Sequence, residues 1–223
     1  MTASDVRHRV AGRFSSRFLR GYVASKIGSD PVYAAVLERL RGHDEPLLDV
    51  GCGVGVLSFF LREHGLTMPI DGIDHDAKKI AAARAIAPHY DRLTFAAADA
   101  RSALRGFHGS VLMLDLLHYF RDDEQQQLLR DAAAATLPGG VVIVRDAVRD
   151  RSWRYRITQA QETFSRAVRW LKAERLNFPT IEAVAAPFRA AGFSEEIVPL
   201  WGRTPFNNYL FVFTRPATAR RRE

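Results

Sequence analysis

The sequence predicts a doubly wound α/β fold with a mostly parallel sheet. Between residues 46 and 146, short apolar runs alternate with helix-like stretches. Strands that alternate with helices need crossover connections, which leave the strands parallel. Two further apolar runs near the C-terminus are separated by a short polar segment and predict an antiparallel hairpin on the same sheet. The 223 residues are enough for one apolar core of this kind.

The predicted strands are short apolar runs that end in turn or acidic residues. They cover residues 47–50, 69–74, 93–98, 111–114, 141–144, 196–201 and 209–213. The predicted helices carry apolar residues at helical spacing, and they cover residues 56–64, 77–87, 122–137 and 180–191. Pro138 and the two glycines after it stop the third of these helices, whereas Thr180 and Gly192 are the expected start and end of the last.

The chain has a net charge of +7, which permits an anionic partner such as nucleic acid, a membrane surface or an acidic substrate. This charge is unevenly distributed. It is +4 over residues 1–30, −4 over residues 31–148, +5 over residues 149–175 and +2 over residues 176–223. The excess therefore belongs to the flanks and one internal segment, and the middle of the chain is acidic.

The composition excludes several classes of protein. With 47% hydrophobic and 26% charged residues, the chain is typical of globular proteins and unlike disordered or collagen-like ones. No apolar stretch approaches the roughly 20 residues that a membrane-spanning helix needs. The basic N-terminal residues precede no continuous apolar run, which argues against a secretory signal. The single cysteine, Cys52, cannot form an intramolecular disulfide, so we expect a cytoplasmic protein.

The most informative stretch is the turn after the first strand, Asp49-Val50-Gly51-Cys52-Gly53-Val54-Gly55. Glycines at alternate positions allow a sharp turn and a close approach of a ligand, at the sheet edge where open α/β folds bind ligands. A dinucleotide fingerprint needs a glycine where the chain has Val56, and the Gly-Lys-Ser/Thr of a phosphate-binding loop is missing. Asp49 would repel a pyrophosphate and suits a cationic group.

This turn and four later motifs resemble those of the class I S-adenosylmethionine-dependent methyltransferases, over about residues 44–148. The later motifs are Asp74 at the end of the second strand, Ala98-Asp99-Ala100, Leu114 to Phe120, and Leu137-Pro138-Gly139-Gly140. The resemblance implies the family's Rossmann-like seven-stranded fold and S-adenosylmethionine as cofactor. It implies these cofactor-binding residues: Asp49, Gly51, Gly53 and Gly55 at the methionine part, Asp74 at the ribose hydroxyls, Asp99 at the adenine amino group, and His75, Ala100 and Asp115 beside them.

Carboxylates suit both the ammonium group and the ribose hydroxyls of this cofactor. Asp99 has a second interpretation, since an aspartate at the end of a strand is also a common helix cap. Cys52 is interpreted as a small packing residue, because no neighbouring residue would lower the pKa of its thiol.

The acceptor side of the reaction has three candidate catalytic residues. His118 follows the fourth strand, in the position that often faces the transferred methyl group in small-molecule members of the family, and Arg145 and Asp146 end the fifth. Some acceptor atoms need a general base, but His118 can equally support its loop, and Arg145 and Asp146 can form an ion pair at the rim. The motifs of amide N-methylation and of metal-assisted O-methylation are missing, so we expect no catalytic metal.

The N-terminal flank predicts a basic amphipathic helix, with apolar residues at helical spacing among arginines: Val6, Val10, Phe14 and Phe18. Three interpretations are open, namely a cap over the active site, contact with an anionic membrane, and contact with the acidic surface of a carrier protein. Nucleic acid is the weaker partner, because no recognition motif accompanies the charge. We expect an N-terminal cap over residues 1–43 and a methyltransferase domain over residues 44–223.

A helical lid is expected as an insertion at about residues 149–178. Its aromatic residues either line an apolar acceptor pocket or only bury one face of an added helix: Trp153, Tyr155, Phe164 and Trp170. The stretch from Tyr22 to Leu40 and the loop 202–208 are similar to methyltransferases of bacterial aryl-polyene pigment clusters, which implies an aromatic head group as acceptor.

The sequence therefore predicts a methyltransferase for a small, aromatic or carrier-bound acceptor, in the cytoplasm or at the inner membrane surface. Three alternatives are an RNA or protein methyltransferase, a protein that binds S-adenosylmethionine without turnover, and an NAD-dependent oxidoreductase.

Overall fold

Seven strands form one sheet in the computed structural model, which describes residues 3–158, 176–202 and 205–217. The strands are β1 (Leu47–Val50), β2 (Ile70–Asp74), β3 (Leu93–Ala97), β4 (Ser110–Leu114), β5 (Val141–Ala147), β6 (Ser194–Pro199) and β7 (Asn208–Thr214). Their order in the sheet is β3-β2-β1-β4-β5-β7-β6. The predicted doubly wound, mostly parallel sheet with an antiparallel final hairpin is confirmed.

The α-helices lie before, between and after these strands. They are α1 (Ala3–Gly12), α2 (Arg17–Ser29), α3 (Val32–Leu40), α4 (Val56–Glu63), α5 (Ala77–Ile86), α6 (Ala100–Ala103), α7 (Asp122–Ala135) and α8 (Ile181–Ala190). The chain divides into two compact units, Met1–Ala103 and Leu104–Glu223.

In the first unit, β2 pairs with both β1 and β3, and all three strands run parallel. Phe59 of α4 is fully buried, with its ring centroid 6.2 Å from Phe14, 5.4 Å from Tyr90 and 5.5 Å from Phe95. These aromatic contacts fix the helix that follows the glycine turn, and with it the turn itself.

The N-terminal flank forms two helices where the spacing predicted one continuous helix. The helix α1 ends at Gly12, and α2 begins after a turn whose Ser16 hydroxyl accepts a hydrogen bond from the amide of Leu19 at 3.4 Å. The prediction of a continuous helix was wrong because a glycine followed by a good N-cap residue favours a stop and a new start. Phe18 therefore leaves the apolar face and has 69% of its surface exposed.

The apolar face of α1 packs inside the first unit, to which the helix belongs. Val6, Val10 and Phe14 are buried, and α1 packs against α2 and α4. A membrane contact of this flank would therefore have to use α2, where Phe18 and Tyr22 are exposed. That contact stays a prediction, as does the cap.

In the second unit, β4 and β5 are parallel, and β7 pairs antiparallel with both β5 and β6. Strand β5 continues beyond the predicted end at Val144 to Ala147, because β7 pairs with it as far as Asn208. Arg145 and Asp146 are therefore strand residues, and both are buried.

Most of the predicted lid lies outside the described residues. Phe164 and Trp170 fall on residues 159–175, and the loop 202–208 is described except for residues 203 and 204. Residues 153–158 are helical. Within the described part of the chain, no helix has the length and apolar character to cross a membrane.

The close packing between β2 and β3 gives a first prediction. A Cβ at Gly72 would lie 2.5 Å from Phe95 and 3.0 Å from Cys52 Sγ, so Gly72→Ala should lower the free energy of unfolding by about 1–3 kcal/mol. Gly21 on α2 is the matched control, because a Cβ there meets nothing within 4 Å. Gly21→Ala should be neutral or stabilising by up to about 1 kcal/mol. Urea denaturation measures both, and equal stabilities would contradict the packing.

Candidate active site

The turn after β1 has the backbone conformation that its glycines predicted. Gly51, Gly53 and Gly55 all have positive φ angles, of 81°, 59° and 78°, a region that side chains with a Cβ rarely adopt. The amides of Gly51 and Cys52 both donate to the carbonyl oxygen of Ile73, at 2.8 and 2.9 Å. The turn is therefore fixed to the end of β2.

Asp74 closes β2 with its carboxylate buried beside this turn. One carboxylate oxygen accepts a hydrogen bond from the amide of Gly53 at 3.0 Å, and the other accepts one from the amide of Asp76 at 2.8 Å. His75 follows with 87% of its side chain exposed, and its Nδ1 lies 3.4 Å from Asp74 Oδ1. Each Asp74 oxygen uses one backbone donor, and an ionised carboxylate can accept about four hydrogen bonds.

Asp49 lies at the other side of the turn with 4% of its surface exposed. Its pKa is raised from 3.8 to about 7, with burial as the largest cause; a hydrogen bond from the Ser58 hydroxyl (3.1 Å) lowers the pKa and the neighbouring Asp74 charge raises it. A cation beside Asp49 would favour the ionised carboxylate. The partner Ser58 was not predicted, because its place on α4 is only apparent once the turn is folded.

Cys52 is a packing residue, as interpreted from the sequence. Its Sγ lies against the β2 backbone at Gly72. Burial, together with the charges of Asp49 and Asp74, raises the pKa of the thiol above its ordinary value. Cys52 is therefore not a thiolate nucleophile.

Asp99 precedes the short helix α6, whose first residue is Ala100. Its exposed carboxylate binds the Arg101 guanidinium at 2.6 Å and accepts from the Arg101 amide at 2.9 Å. These hydrogen bonds lower the pKa of Asp99. The cap interpretation accounts for the backbone contact, and the adenine contact stays a prediction. The Arg101 partner was not predicted.

The second unit brings His118 and Asp146 together. Nδ1 of His118 lies 2.7 Å from Asp146 Oδ1, and the His118 amide donates to Asp146 Oδ2 at 3.2 Å. Asp146 also accepts from the Ala147 amide at 2.8 Å and is fully buried, while His118 is 8% exposed. A carboxylate on Nδ1 holds the proton there and leaves the lone pair of the neutral ring on Nε2. We name these two residues the His–Asp pair.

Arg145 forms an ion pair with Asp115, the residue that follows β4. The Asp115 amide also donates to the Arg145 carbonyl at 2.8 Å, and Asp115 has a positive φ of 53°. The structure therefore does not contain the ion pair between Arg145 and Asp146 that the sequence allowed at the rim. Neighbouring residues of a strand point to opposite faces, so each binds a different residue of the segment after β4.

Two residues missed by the sequence analysis hold the His118 loop in place. The Asn177 amide donates to the His118 carbonyl at 2.8 Å, and its side-chain nitrogen donates to Asp122 at 2.7 Å. The side-chain nitrogen of Gln125, buried on α7, lies 2.7 Å from the Asn177 carbonyl and 3.0 Å from that of Leu117. No sequence signal connects these residues, because Asn177 is 52 positions from Gln125.

Three aromatic rings extend from His118 within the second unit. The His118 ring lies 4.2 Å from Tyr119 and 5.4 Å from Phe178, and Phe178 lies 6.0 Å from Tyr155, between ring centroids. Tyr155 is buried with Phe178 and Ala147, whereas Trp153 is 59% exposed. Of the two described lid aromatics, only Tyr155 thus belongs to a buried cluster.

The described residues contain no group of three or more His, Cys, Asp or Glu arranged to hold a metal ion. The polar groups described above are carboxylates, the imidazoles of His75 and His118, the Arg145 guanidinium, the Ser58 hydroxyl and backbone amides.

Comparison with known proteins connects these features. Residues 47–140 match a family model described as a methyltransferase domain. This region, less than half of the chain, is therefore similar to a methyltransferase domain. The matched region contains the glycine turn, Asp74, Asp99 and His118, so the predicted family is confirmed. The finer similarity to aryl-polyene cluster enzymes stays a prediction, and no curated protein matches the chain.

Solved methyltransferase structures share the fold over most of this chain. Magnesium protoporphyrin IX methyltransferase from Synechocystis PCC 6803 is similar with a TM-score of 0.68 and 18% identity, over 95% of this chain and 93% of that one. It was crystallised with S-adenosylhomocysteine, and also with S-adenosylmethionine.

Two longer proteins have the same fold. An O-methyltransferase family protein from Burkholderia thailandensis has a TM-score of 0.67 and 19% identity, over 92% of this chain and 62% of its own. The pyocyanin biosynthetic protein PhzM has a TM-score of 0.65 and 18% identity, over 93% and 61%. The chain thus spans about three fifths of these two proteins.

The residues of the first unit of this methyltransferase fit S-adenosylmethionine, the cofactor of the class. Asp74 retains acceptor capacity on both oxygens, as two ribose hydroxyls require. Asp49 is a buried carboxylate whose ionisation a cationic ligand would favour. At Gly53 a Cβ would meet no atom within 4 Å, so the backbone of the turn is open to a ligand at that position.

The raised pKa of Asp49 predicts a pH dependence of cofactor binding. Below pH 7 the carboxyl of the free methyltransferase is protonated, whereas a cationic cofactor favours the ionised form. The affinity should therefore fall by up to roughly twentyfold between about pH 7.5 and 5.5. Isothermal titration calorimetry measures this, with Asp49→Asn as the control that should bind weakly and without this pH dependence. A wild-type affinity that stays constant would contradict the assignment.

The geometry of Asp74 predicts a large effect on the same measurement. Asp74→Ala would remove the two charge-assisted hydrogen bonds predicted to the ribose, and it should weaken S-adenosylmethionine binding by about 100-fold or more. Asp74→Asn keeps one oxygen and should have an intermediate effect. The control is Asp71→Ala on the same strand, where the carboxylate binds the Thr94 hydroxyl instead. Equal affinities for Asp74→Ala and Asp71→Ala would exclude the ribose contact.

Proposed function

We propose that this S-adenosylmethionine-dependent methyltransferase methylates a hydroxyl oxygen on a small aromatic acceptor. The hydrogen bond of 2.7 Å between His118 and Asp146 carries the proposal. A hydroxyl is a weak nucleophile until it loses its proton, so its methylation benefits from a positioned base. The His–Asp pair has the components of such a base.

The His–Asp pair determines which ring nitrogen of His118 carries a proton and which one accepts the proton of the acceptor. Asp146 holds the proton on Nδ1, which leaves Nε2 as the atom that accepts the proton of the acceptor hydroxyl. The imidazolium that forms is stabilised by the buried Asp146 carboxylate. Asp146 is therefore a positioning residue, and His118 is the catalytic base.

S-adenosylmethionine supplies the methyl group on a sulfonium centre and leaves as S-adenosylhomocysteine. The acceptor oxygen forms the new bond to the methyl carbon while the carbon–sulfur bond breaks, and the acceptor proton stays on His118. Such a displacement needs alignment of donor and acceptor and the exclusion of water. No metal is required for this balance of atoms and charge.

Two observations support an aromatic acceptor. The rings of Tyr119, Phe178 and Tyr155 continue from His118, and aromatic rings stack favourably on planar ligands. Two of the proteins with a similar fold are named an O-methyltransferase family protein and a pyocyanin biosynthetic protein. The acceptor is proposed to be free or attached to a carrier protein.

The proposal is tested by incubating the protein with labelled S-adenosylmethionine and three groups of acceptors: aromatic hydroxyl compounds, total RNA and a protein mixture. Label in an aromatic methyl ether supports the proposal. Label only in RNA or protein, or no label beside measurable cofactor binding, would overturn it in favour of one of the alternatives.

The base role of His118 gives a further prediction. His118→Gln should lower kcat by about 10²–10⁴-fold, while the affinity for S-adenosylmethionine stays within about twofold. Gln126→Ala is the matched control, because Gln126 binds the α8 backbone at Ala183 (2.7 Å) and contacts neither His118 nor Asp146. The control should keep wild-type kcat. A His118→Gln variant as fast as the control would reduce His118 to a loop-supporting residue.

A further inference from the structure

Most basic side chains of the N-terminal flank have partners inside the first unit. Glu63 lies 2.8 Å from Arg9 and 3.6 Å from Arg13. The guanidinium of Arg20 donates to two backbone carbonyls at 2.7 and 2.9 Å, and Lys26 pairs with Asp30 at 3.4 Å. Four of the six basic side chains of this flank therefore have partners within the protein.

The basic segment after β5 is different. Residues 149–158 contain four arginines and one aspartate, and Asp150 accepts a hydrogen bond from the Ser152 amide at 2.8 Å. Arg149, Arg151 and Arg156 are exposed. In the parts of the chain that the structure describes, none of these three guanidinium groups lies within ion-pair distance of an acidic side chain.

Large apolar side chains are exposed beside these arginines. Trp153 and Ile157 are one helical turn apart, with 59% and 38% of their surfaces in solvent. The guanidinium of Arg154 lies over the ring of Trp153 at 4.7 Å and over that of Trp201 at 4.4 Å. Such stacking holds the indole of Trp153 in a defined position at the surface. Adjacent exposed apolar side chains of this kind are typical of a site of contact with a protein or a membrane.

We infer that this surface binds an anionic lipid bilayer. The Trp153 surface comprises the following residues: Arg149, Arg151, Trp153, Arg154, Arg156 and Ile157. Tryptophan prefers the interface between hydrocarbon and water, and exposed arginines are attracted to anionic headgroups and bind phosphate. Trp153 has 59% of its surface in solvent, and an exposed indole can enter the headgroup region without a matching pocket, which a protein partner would have to supply. Contact with lipid would bring the methyltransferase to acceptors that dissolve in membranes.

The inference is independent of the proposed acceptor chemistry, because binding is measured without turnover. Co-sedimentation of the full-length protein compares vesicles of phosphatidylcholine with vesicles that contain about one third phosphatidylglycerol. Binding should be at least about tenfold stronger to the anionic vesicles and should weaken at high salt. Each basic residue near such a surface contributes about fivefold, so Arg151→Gln with Arg156→Gln should weaken binding about 25-fold.

The matched comparison uses two pairs of exposed apolar residues. Trp153→Ala with Ile157→Ser should weaken vesicle binding at least about tenfold. Phe18→Ala with Tyr22→Ala removes the exposed pair on α2 and should leave it unchanged. All variants change exposed side chains and should keep the wild-type melting temperature. The arginine variants test the surface by charge should the apolar variant misfold.

Three results would overturn the inference. The first is equal binding to neutral and anionic vesicles. The second is loss of binding in the Phe18 and Tyr22 variant with retention in the Trp153 variant, which would assign the contact to α2. The third is binding to an acidic polypeptide such as polyglutamate without binding to anionic vesicles, which would assign the surface to an acidic protein.

Discussion

Moving a carboxylate out of water is costly unless hydrogen bonds or a cation replace the lost hydration, and this constraint organises both units of the protein. Asp74 meets it with two backbone amides, and Asp146 meets it with His118 and two backbone amides. Among the described residues, Asp49 accepts a hydrogen bond only from the Ser58 hydroxyl, and its pKa is strongly raised. Because fewer hydrogen bonds replace its lost hydration, Asp49 is the carboxylate that a cationic ligand would stabilise most. Asp146, in contrast, already binds His118.

The sequence predicts the strands and the individual site residues better than it predicts which residues contact one another. Strand ends, the glycine turn and the positions of Asp49, Asp74 and His118 follow from local patterns, because apolar periodicity and glycine spacing are encoded within a few residues. The His–Asp pair joins residues 28 positions apart, and the Asn177 contacts to the His118 loop span still more chain. Such partners depend on which strands become neighbours. The predicted apolar run of the fifth strand stops at Val144, whereas pairing with β7 extends β5 to Ala147.

The net charge of a segment has a similar limit, because it does not show which charged side chains find partners in the folded protein. The N-terminal flank and the segment after β5 have similar net charges in the sequence, yet their arginines differ in the structure. Those of the flank meet Glu63 and backbone carbonyls, whereas Arg149, Arg151 and Arg156 face solvent beside exposed apolar groups. A net charge therefore indicates an anionic partner only where the structure leaves that charge uncompensated.

We propose that Asp146 acts through His118 as one unit in methyl transfer. A double-mutant cycle tests this directly, by measuring kcat for His118→Gln, Asp146→Asn and the double variant with the same aromatic acceptor. Residues that act as a unit give strongly non-additive losses, so the double variant should be no slower than the slower single variant, within about twofold. Losses that multiply in the double variant would show that the two residues act independently, and would contradict this account.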